Sequence, residues 1–242
     1  MPGGKSWRGC CGMKQLVTKA IILSRTDYGE ADRILTVLTP EYGKLHLMAK
    51  GVRRVKSKLA GGIELFSVSE ITFIRGKSEL GTLASTRLIS HYGHIVQDLQ
   101  RTMTGYDLIK QLHKLTEDEA EADYFDLLHR AFEALDDPGI PLPVITFWFA
   151  AQELRFGGHT PNLRTDINGA KLEAGVLYDF NFENMSFMTA PEGLGRYSAD
   201  HIKLLRIVFG EHSPKTISQV QGAAPLVVLL GSLVDAMRRN VA

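Results

Sequence analysis

The sequence predicts an α+β protein in which a small closed β-barrel precedes an α-helical domain. Two observations carry this. Five short runs with period-two alternation, rich in Val, Ile and Thr, fall within the first ninety residues. The hydrophobic period then changes to three- and four-residue steps and stays there for most of the remaining chain.

The strand-like runs begin at Leu16, Arg33, Lys44, Phe66 and Leu80. Turn signals separate them: Asp27-Tyr28-Gly29, Pro40 to Gly43, Gly61-Gly62 and Gly76-Lys77-Ser78. Closing five such strands into a barrel removes the exposed edges they would otherwise present. An amphipathic helix follows, with Ile95, Leu99, Met103, Tyr106, Ile109 and Leu112 as its apolar face. After the acidic stretch "EDEAEAD", a second helix places Phe125, Leu128, Phe132 and Leu135 on one face and stops at Asp136 to Gly139. The third, "LPVITFWFAAQELRF", is apolar nearly all round and belongs at the centre of a core. Residues 158–195 are irregular, rich in Asn, Gly and Asp. A helix resumes behind Ser198 as N-cap, and two short helices, broken at Gly222 and Pro225, end the chain. "APLVVLLGSLV" is too short to cross a bilayer and reads as a buried helix. The expected organisation is a leader over 1–12, a barrel over 13–90 and a helical domain over 91–242.

The leader, "MPGGKSWRGCCGM" up to Met13, lacks the apolar core of a signal peptide, so the expected compartment is the cytoplasm. It reads as an inert tail or as an upstream extension of a start at Met13. Cys10 and Cys11 are the chain's two cysteines, and an adjacent pair does not make a zinc site.

The formal net charge of +1 hides a division. Residues 13–90 hold 13 Lys and Arg against 7 Asp and Glu; residues 91–242 hold 13 against 20. The first part therefore carries +6 and suits a polyanion partner. "KGVRRVKSK" concentrates that charge in Lys50, Arg53, Arg54, Lys56 and Lys58, close in sequence to Arg33 and Lys44. Gly51 lets the chain turn, and Val52 and Val55 are expected to pin the loop to the barrel. On a barrel such a loop is an electrostatic track for phosphates, which Arg75, Lys77 and Arg87 extend if the strands pair suitably. The bland alternative is a solvated basic loop without a partner. Aromatic rings for stacking are few: Tyr28 and Tyr42, with Phe66 and Phe73 expected in the core. The pattern favours backbone contacts over base reading.

Other chemistries find little support. Gly76-Lys77-Ser78 resembles the end of a phosphate-binding loop, but Ile71 stands where the motif needs glycine. His91 and His94 are not a metal site on their own, and His159, Asp166 and Asp179 are three scattered ligands. No catalytic triad spacing or paired-carboxylate cleft is present, Asn184-Met185-Ser186 carries no meaning as a sequon in a cytoplasmic chain, and no enzyme, metal or cofactor is expected.

Specific motifs point further. Tyr28-Gly29-Glu30-x-Asp32-Arg33-Ile34-Leu35, then Thr39-x-x-x-Gly43-Lys44, Ala49-Lys50-Gly51-x-Arg53-Arg54, Ser57 and Leu80-Gly81-Thr82-Leu83 resemble the N-terminal domain of the bacterial RecO family. "YFDLLHRAFEALDD" and "FWFAAQELRFGGHTPNL" continue the likeness. The resemblance implies an OB (oligonucleotide-binding) barrel, a helical domain and a zinc-finger-like insertion, here about 158–195. It further implies binding of single- and double-stranded DNA, annealing, and loading of RecA with RecR onto DNA coated by the single-strand-binding protein SSB. It also implies an SSB C-terminal tail site on the helical domain, with Lys110, Lys114, Arg130 and Arg155 as candidate cations, and a nucleoid-associated cytoplasmic location. No membrane or small-molecule substrate is implied. Many relatives carry two cysteine pairs in the insertion; in this chain Thr165 and Asn168 stand near the first, and "FENMSFMTAP" has none. The expected insertion is therefore degenerate and metal-free, packed through Leu172, Val176, Leu177, Tyr178, Phe180, Phe182 and Phe187. The alternative to a DNA mediator is an OB-fold RNA-binding accessory protein; a metal-dependent nuclease lacks a carboxylate cluster.

Overall fold

The computed structural model describes residues 14–75, 79–115, 122–191 and 194–241. The expected leader and Lys77 lie outside them. The chain divides into two compact units. The first is Met1–His91 with His113–Phe125, and the second is Tyr92–Leu112 with Asp126–Ala242.

In the first unit, strands β1 (Gln15–Tyr28), β2 (Asp32–Thr39), β3 (Gly43–Ala49), β4 (Ser67–Ile74) and β5 (Leu80–His91) close a barrel in the order β1-β2-β3-β5-β4. All neighbours are antiparallel except β3 and β5, which pair parallel through His46–Leu80, Leu47–Gly81 and Met48–Thr82. Inward positions alternate along each strand, so Ala20, Ile22, Leu35, Val37, Leu47, Ile71, Phe73 and Leu83 fill the interior. β5 enters between β3 and β4 at Gly81. A Cβ there would lie 2.8 Å from Leu47 Cδ2 and 3.1 Å from the Ile74 carbonyl, so the close approach needs glycine. Register shifts in β1 and twice along the β4–β5 pairing give the curvature that closure requires. The fold is the α+β arrangement expected, with an OB-like N-terminal barrel.

In the second unit, α3 (Leu142–Phe156) is buried from Val144 to Leu154 except at Thr146. Two of its interior polar side chains are satisfied: Trp148 Nε1 donates to the His212 carbonyl at 2.8 Å, and Gln152 Nε2 to those of Val208 and Gly210. Against it pack α4 (Ala199–Val208), α5 (Pro214–Ser218) and α6 (Ala223–Val241); α1 (Leu99–Leu115) and α2 (Ala122–Asp136) also belong to this unit except for the end of α1 and the start of α2. The chain therefore ends in one short and one 19-residue helix rather than two short ones. Gly222, at φ +78°, makes the break. Pro225 falls in the first turn of α6, where a missing N–H costs no helical hydrogen bond. Nor is α6 buried all round, since Val228 is exposed.

Helix α1 departs from the expected face. Leu108, Ile109 and Leu112 are buried, but Leu99, Met103 and Tyr106 are exposed. The buried side includes Arg101, whose guanidinium donates to the carbonyls of Leu135 (2.9 Å), Pro138 (3.1 Å) and Ile140 (2.9 Å). A cation thus satisfies the carbonyls at and just beyond the C-terminus of α2.

The stretch 158–195 is more regular than its composition suggests. β6 (Asn162–Asp166), β7 (Tyr178–Asn181) and β8 (Ser186–Thr189) form a three-stranded sheet in the order β6-β8-β7. Phe187 is fully buried at its centre, with ring centroids of Tyr178, Phe180 and Tyr197 within 5.2–6.4 Å.

Candidate nucleic-acid interface

The basic loop leaves β3 at Ala49 and is fixed by its own backbone. Gly51 takes φ +65°, and its N–H donates to Asp32 Oδ1 at 2.7 Å. Arg53 N–H donates to the Ala31 carbonyl, and two turns follow through Arg54 N to Gly51 O and Ser57 N to Arg54 O. Val52, 4% exposed, joins the barrel core. Val55 is fully exposed, so it does not pin the loop as expected. The turn between β1 and β2 thus holds the loop against one end of the barrel.

Charge at this end is partly neutralised. Asp27 accepts Arg33 Nε at 2.7 Å and lies 3.6 Å from Arg53 Nη1. The hydrogen bond from Arg33, helped by the nearby positive charge of Arg53, holds the Asp27 carboxyl below the usual carboxylate range. Arg25 is engaged by Glu64 at 3.0 Å. Lys50, Arg54, Lys56 and Lys58 are exposed and, among the described residues, have no carboxylate partner. Tyr28, 56% exposed, is the exposed large aromatic residue at this end; Phe66 and Phe73 are core, and Tyr42 packs edge-on to Phe73 at 5.5 Å.

The structure therefore brings together Arg33, Lys50, Arg53, Arg54, Lys56 and Lys58. It separates Lys44 and Arg75 from them. Lys44 stands at the start of β3 and Arg75 just past the end of β4, both at the opposite end of the barrel by strand register. Arg75 thus does not extend the track. Arg87 lies on the wall of β5, paired with Glu70 at 3.1 Å, while its neighbour Thr86 Oγ1 donates to the Leu59 carbonyl at the far end of the loop. Sequence reasoning missed the two acids that organise the site, Asp27 and Asp32. Their signal was available, since both flank the Gly29 turn.

Of the cations considered on the helices, Lys110 and Lys114 are exposed on α1. Arg130 donates to the Glu211 carbonyl and lines a cleft of about 250 Å³ with Glu133, Asp137 and Lys215. Arg155 lies over its neighbour Phe156 at 4.8 Å. Lys110, Lys114 and Arg155 do not line the Arg130 cleft.

In the insertion, the carboxylates of Asp166 and Asp179 are engaged by other groups. Asp166 accepts the N–H groups of Asn168 and Ala170 and thereby closes, with a side-chain cap, the turn that Thr165 and Asn168 occupy. Asp179 faces Arg196 at 3.7 Å. Among the described residues no three His, Cys, Asp or Glu are grouped as metal ligands, and no helix is long and apolar enough to cross a membrane.

A closed five-stranded barrel presenting cations around one rim, followed by helices and a small sheet, defines the class: an OB-like α+β protein. The family model described as "Recombination protein O N terminal" matches residues 13–92. A protein named "DNA repair protein RecO" from Dehalococcoides mccartyi is 38% identical over 152 residues, covering 62% of this chain and 59% of that protein. A namesake from Halalkalibacterium halodurans is 34% identical over 146 residues, covering 60% and 57%. One from Bifidobacterium longum subsp. infantis is 31% identical over 192 residues, covering 75% and 80%. The first two matches span less than two thirds of those relatives' own length. The chain belongs to the RecO family.

Proposed function

We propose that this protein is a non-enzymatic DNA repair and recombination mediator, acting in the cytoplasm at the nucleoid. It binds single- and double-stranded DNA through the rim of its barrel and anneals complementary strands. With RecR it helps load RecA onto SSB-coated DNA. The observation that carries the reading is the loop over Lys50–Lys58, where four exposed cations on a backbone-anchored turn have no carboxylate partner among the described residues. Cations held this way attract a phosphate backbone without fixing base identity. One exposed ring, Tyr28, leaves base edges free to pair, which annealing requires and which needs no covalent step. The names of the relatives support the repair and recombination role. The division of labour follows the expected domains: barrel to DNA, helices to proteins. Lys110, Lys114, Arg130 and Arg155 remain the proposed contacts for the SSB tail, and the apolar-lined edge of the Arg130 cleft, at Ile140 and Pro214, suits such a tail best.

The test is binding of labelled DNA and RNA with magnesium present. Changing Arg53, Arg54 and Lys56 together to Ala should weaken DNA binding at least about tenfold on every sequence. Unchanged binding in the triple variant places the DNA elsewhere. A marked preference for RNA favours the RNA-binding accessory alternative, and cleavage of either strand identifies a nuclease.

A further inference from the structure

The second unit carries net negative charge, and four of its cations face acids. Arg196 faces Asp179, Lys203 faces Asp200, Lys215 faces Asp137 and Arg238 faces Glu153. One cleft is an exception. About 880 Å³ in volume, it lies between the small sheet and α4, and its lining includes Arg164, Lys171 and Arg206 but no acidic residue. Strand pairing brings the first two together: Thr165 bridges Lys171, and Leu172 N–H donates to the Arg164 carbonyl at 3.3 Å. Arg206 comes from α4 and is held by its Nε, which donates to the Leu163 carbonyl at 2.8 Å. Among the described residues the Arg164 and Lys171 side chains have no hydrogen bond or ion pair, and Arg206 has no carboxylate partner. The walls between the charges are apolar, from Pro161, Leu172 and Phe209.

We propose that this cleft is a second nucleic-acid site, which takes the sugar–phosphate backbone of a single DNA strand. Three cations gathered in one cleft without an acid, in a unit of net negative charge, point to an anion from outside the chain. Apolar surface between them suits a ligand that alternates phosphate with sugar, and suits a small inorganic ion less. The inference rests on the reading that DNA is the ligand, but on none of the barrel residues. It also supplies what the barrel rim alone does not: a place for a second strand while the first is held. Annealing then proceeds on one protein molecule, with the two backbones neutralised at separate sites and the bases unengaged.

The full chain is tested with two non-complementary dT- and dC-type strands about 16 nucleotides long, one carrying a donor dye and the other an acceptor. Energy transfer reports both strands on one molecule, and titration of a single strand reports the first site. With Arg164→Ala and Lys171→Ala together, bridging and annealing rate should fall at least about fivefold, while first-strand affinity moves less than about threefold. The salt slope for the second strand should be near −2 in the unchanged protein, as expected for about three phosphates on a single strand. Arg164→Lys with Lys171→Arg should restore bridging, which a loss through misfolding would not predict. Unchanged bridging in the Ala variant overturns the proposal. So does loss, in that variant, of binding to an acidic peptide with DNA binding unaltered, which would make the cleft a protein-docking site. Weakened single-strand binding in the barrel triple variant together with unchanged bridging in the Arg164/Lys171 variant removes this site and keeps the rim. The reverse pattern keeps this site and removes the rim.

Discussion

Asp27 occupies the centre of the basic rim and subtracts from it. It engages Arg33 and Arg53, two of the cations most readily read as DNA contacts from sequence. Asp27→Asn should release both guanidinium groups toward solvent. DNA affinity should rise, and the single-strand salt slope should steepen by about 0.7 to 1.4, the contribution of one to two further phosphates. Titrations at several salt concentrations check this; a weaker, flatter response would mean that Asp27 positions the arginines for DNA. Arg101 makes a contrasting case, because its role is wholly structural. Buried and bound to three carbonyls, it leaves three acceptors without a donor when removed. Arg101→Met should cost about 2–4 kcal/mol in urea unfolding, without changing the DNA salt slope. Arg101 was not legible in the sequence in this role, and Asp27 only through its place beside the Gly29 turn. Asp27 is one acid among many until a hairpin sets it opposite Arg33, and Arg101 falls between two apolar stripes of α1 with nothing to mark its side as inward.

The elements themselves were more legible than their faces. Period two marked all five barrel strands because one side of each is buried, and the apolar run of α3 marked a core helix. On α1 the rule failed, because exposed Leu99, Met103 and Tyr106 keep the same three- and four-residue spacing as buried Leu108 and Leu112. Strand order could not be read either. Insertion of β5 between β3 and β4 is non-local, and so is the antiparallel pairing of β4 with β1 that puts Arg75 at the wrong end to join the loop. Between α3 and α6 lies a charge no pattern announced. Glu153, with a side chain 3% exposed, is pushed up to about 7 by burial, and a smaller upward push comes from Asp235, although Arg238 at 2.8 Å pulls it down. Its raised pKa favours folding while the carboxyl is protonated. That contribution is fully present below the ordinary value of 4.5 and is lost as pH rises through about 7. Over this window the unchanged protein should lose about 3 kcal/mol relative to Glu153→Gln. In that variant Arg238 keeps Gln111 and Asp235 as partners. Urea midpoints of both proteins between pH 5 and 8 check the difference, and parallel curves would show that Glu153 stays ionised. In the insertion, the Asp166-capped turn and the Phe187 ring cluster supply local order. Elemental analysis should therefore find no stoichiometric zinc, and chelator should leave the melting temperature unchanged, whereas Phe187→Ala should cost about 3–5 kcal/mol. One zinc per chain with destabilisation by chelator would reveal ligands beyond those described.

At the scale of the whole molecule, a net charge of +1 conceals +6 on one part of the chain and −7 on the other. A uniform charge would attract or repel a polyanion over the entire surface; this partition confines attraction to the barrel rim and to the few cations of the second part that acids do not neutralise. Affinity should then be governed by counterion release and be nearly blind to sequence. Four cations of the loop are without carboxylate partners among the described residues, and Arg33 or Arg53 supplies a fifth when phosphate competes with Asp27. About five phosphates give a single-strand slope of log K against log salt near −3.5, so raising salt from about 50 to 200 mM should weaken binding roughly a hundredfold. Stacking adds little, since Tyr28 is the exposed large aromatic residue of the rim and one stacked base is worth about 1–3 kcal/mol. Tyr28→Ala should therefore lower affinity by no more than that and leave the slope unchanged, because a ring displaces no counterions. Homopolymers of dT, dA and dC should share one slope and differ in affinity by about tenfold or less. The same titration on each strand checks all three statements. Slopes that differ between homopolymers, or a Tyr28 variant that flattens them, would mean that bases and not backbones set the contact.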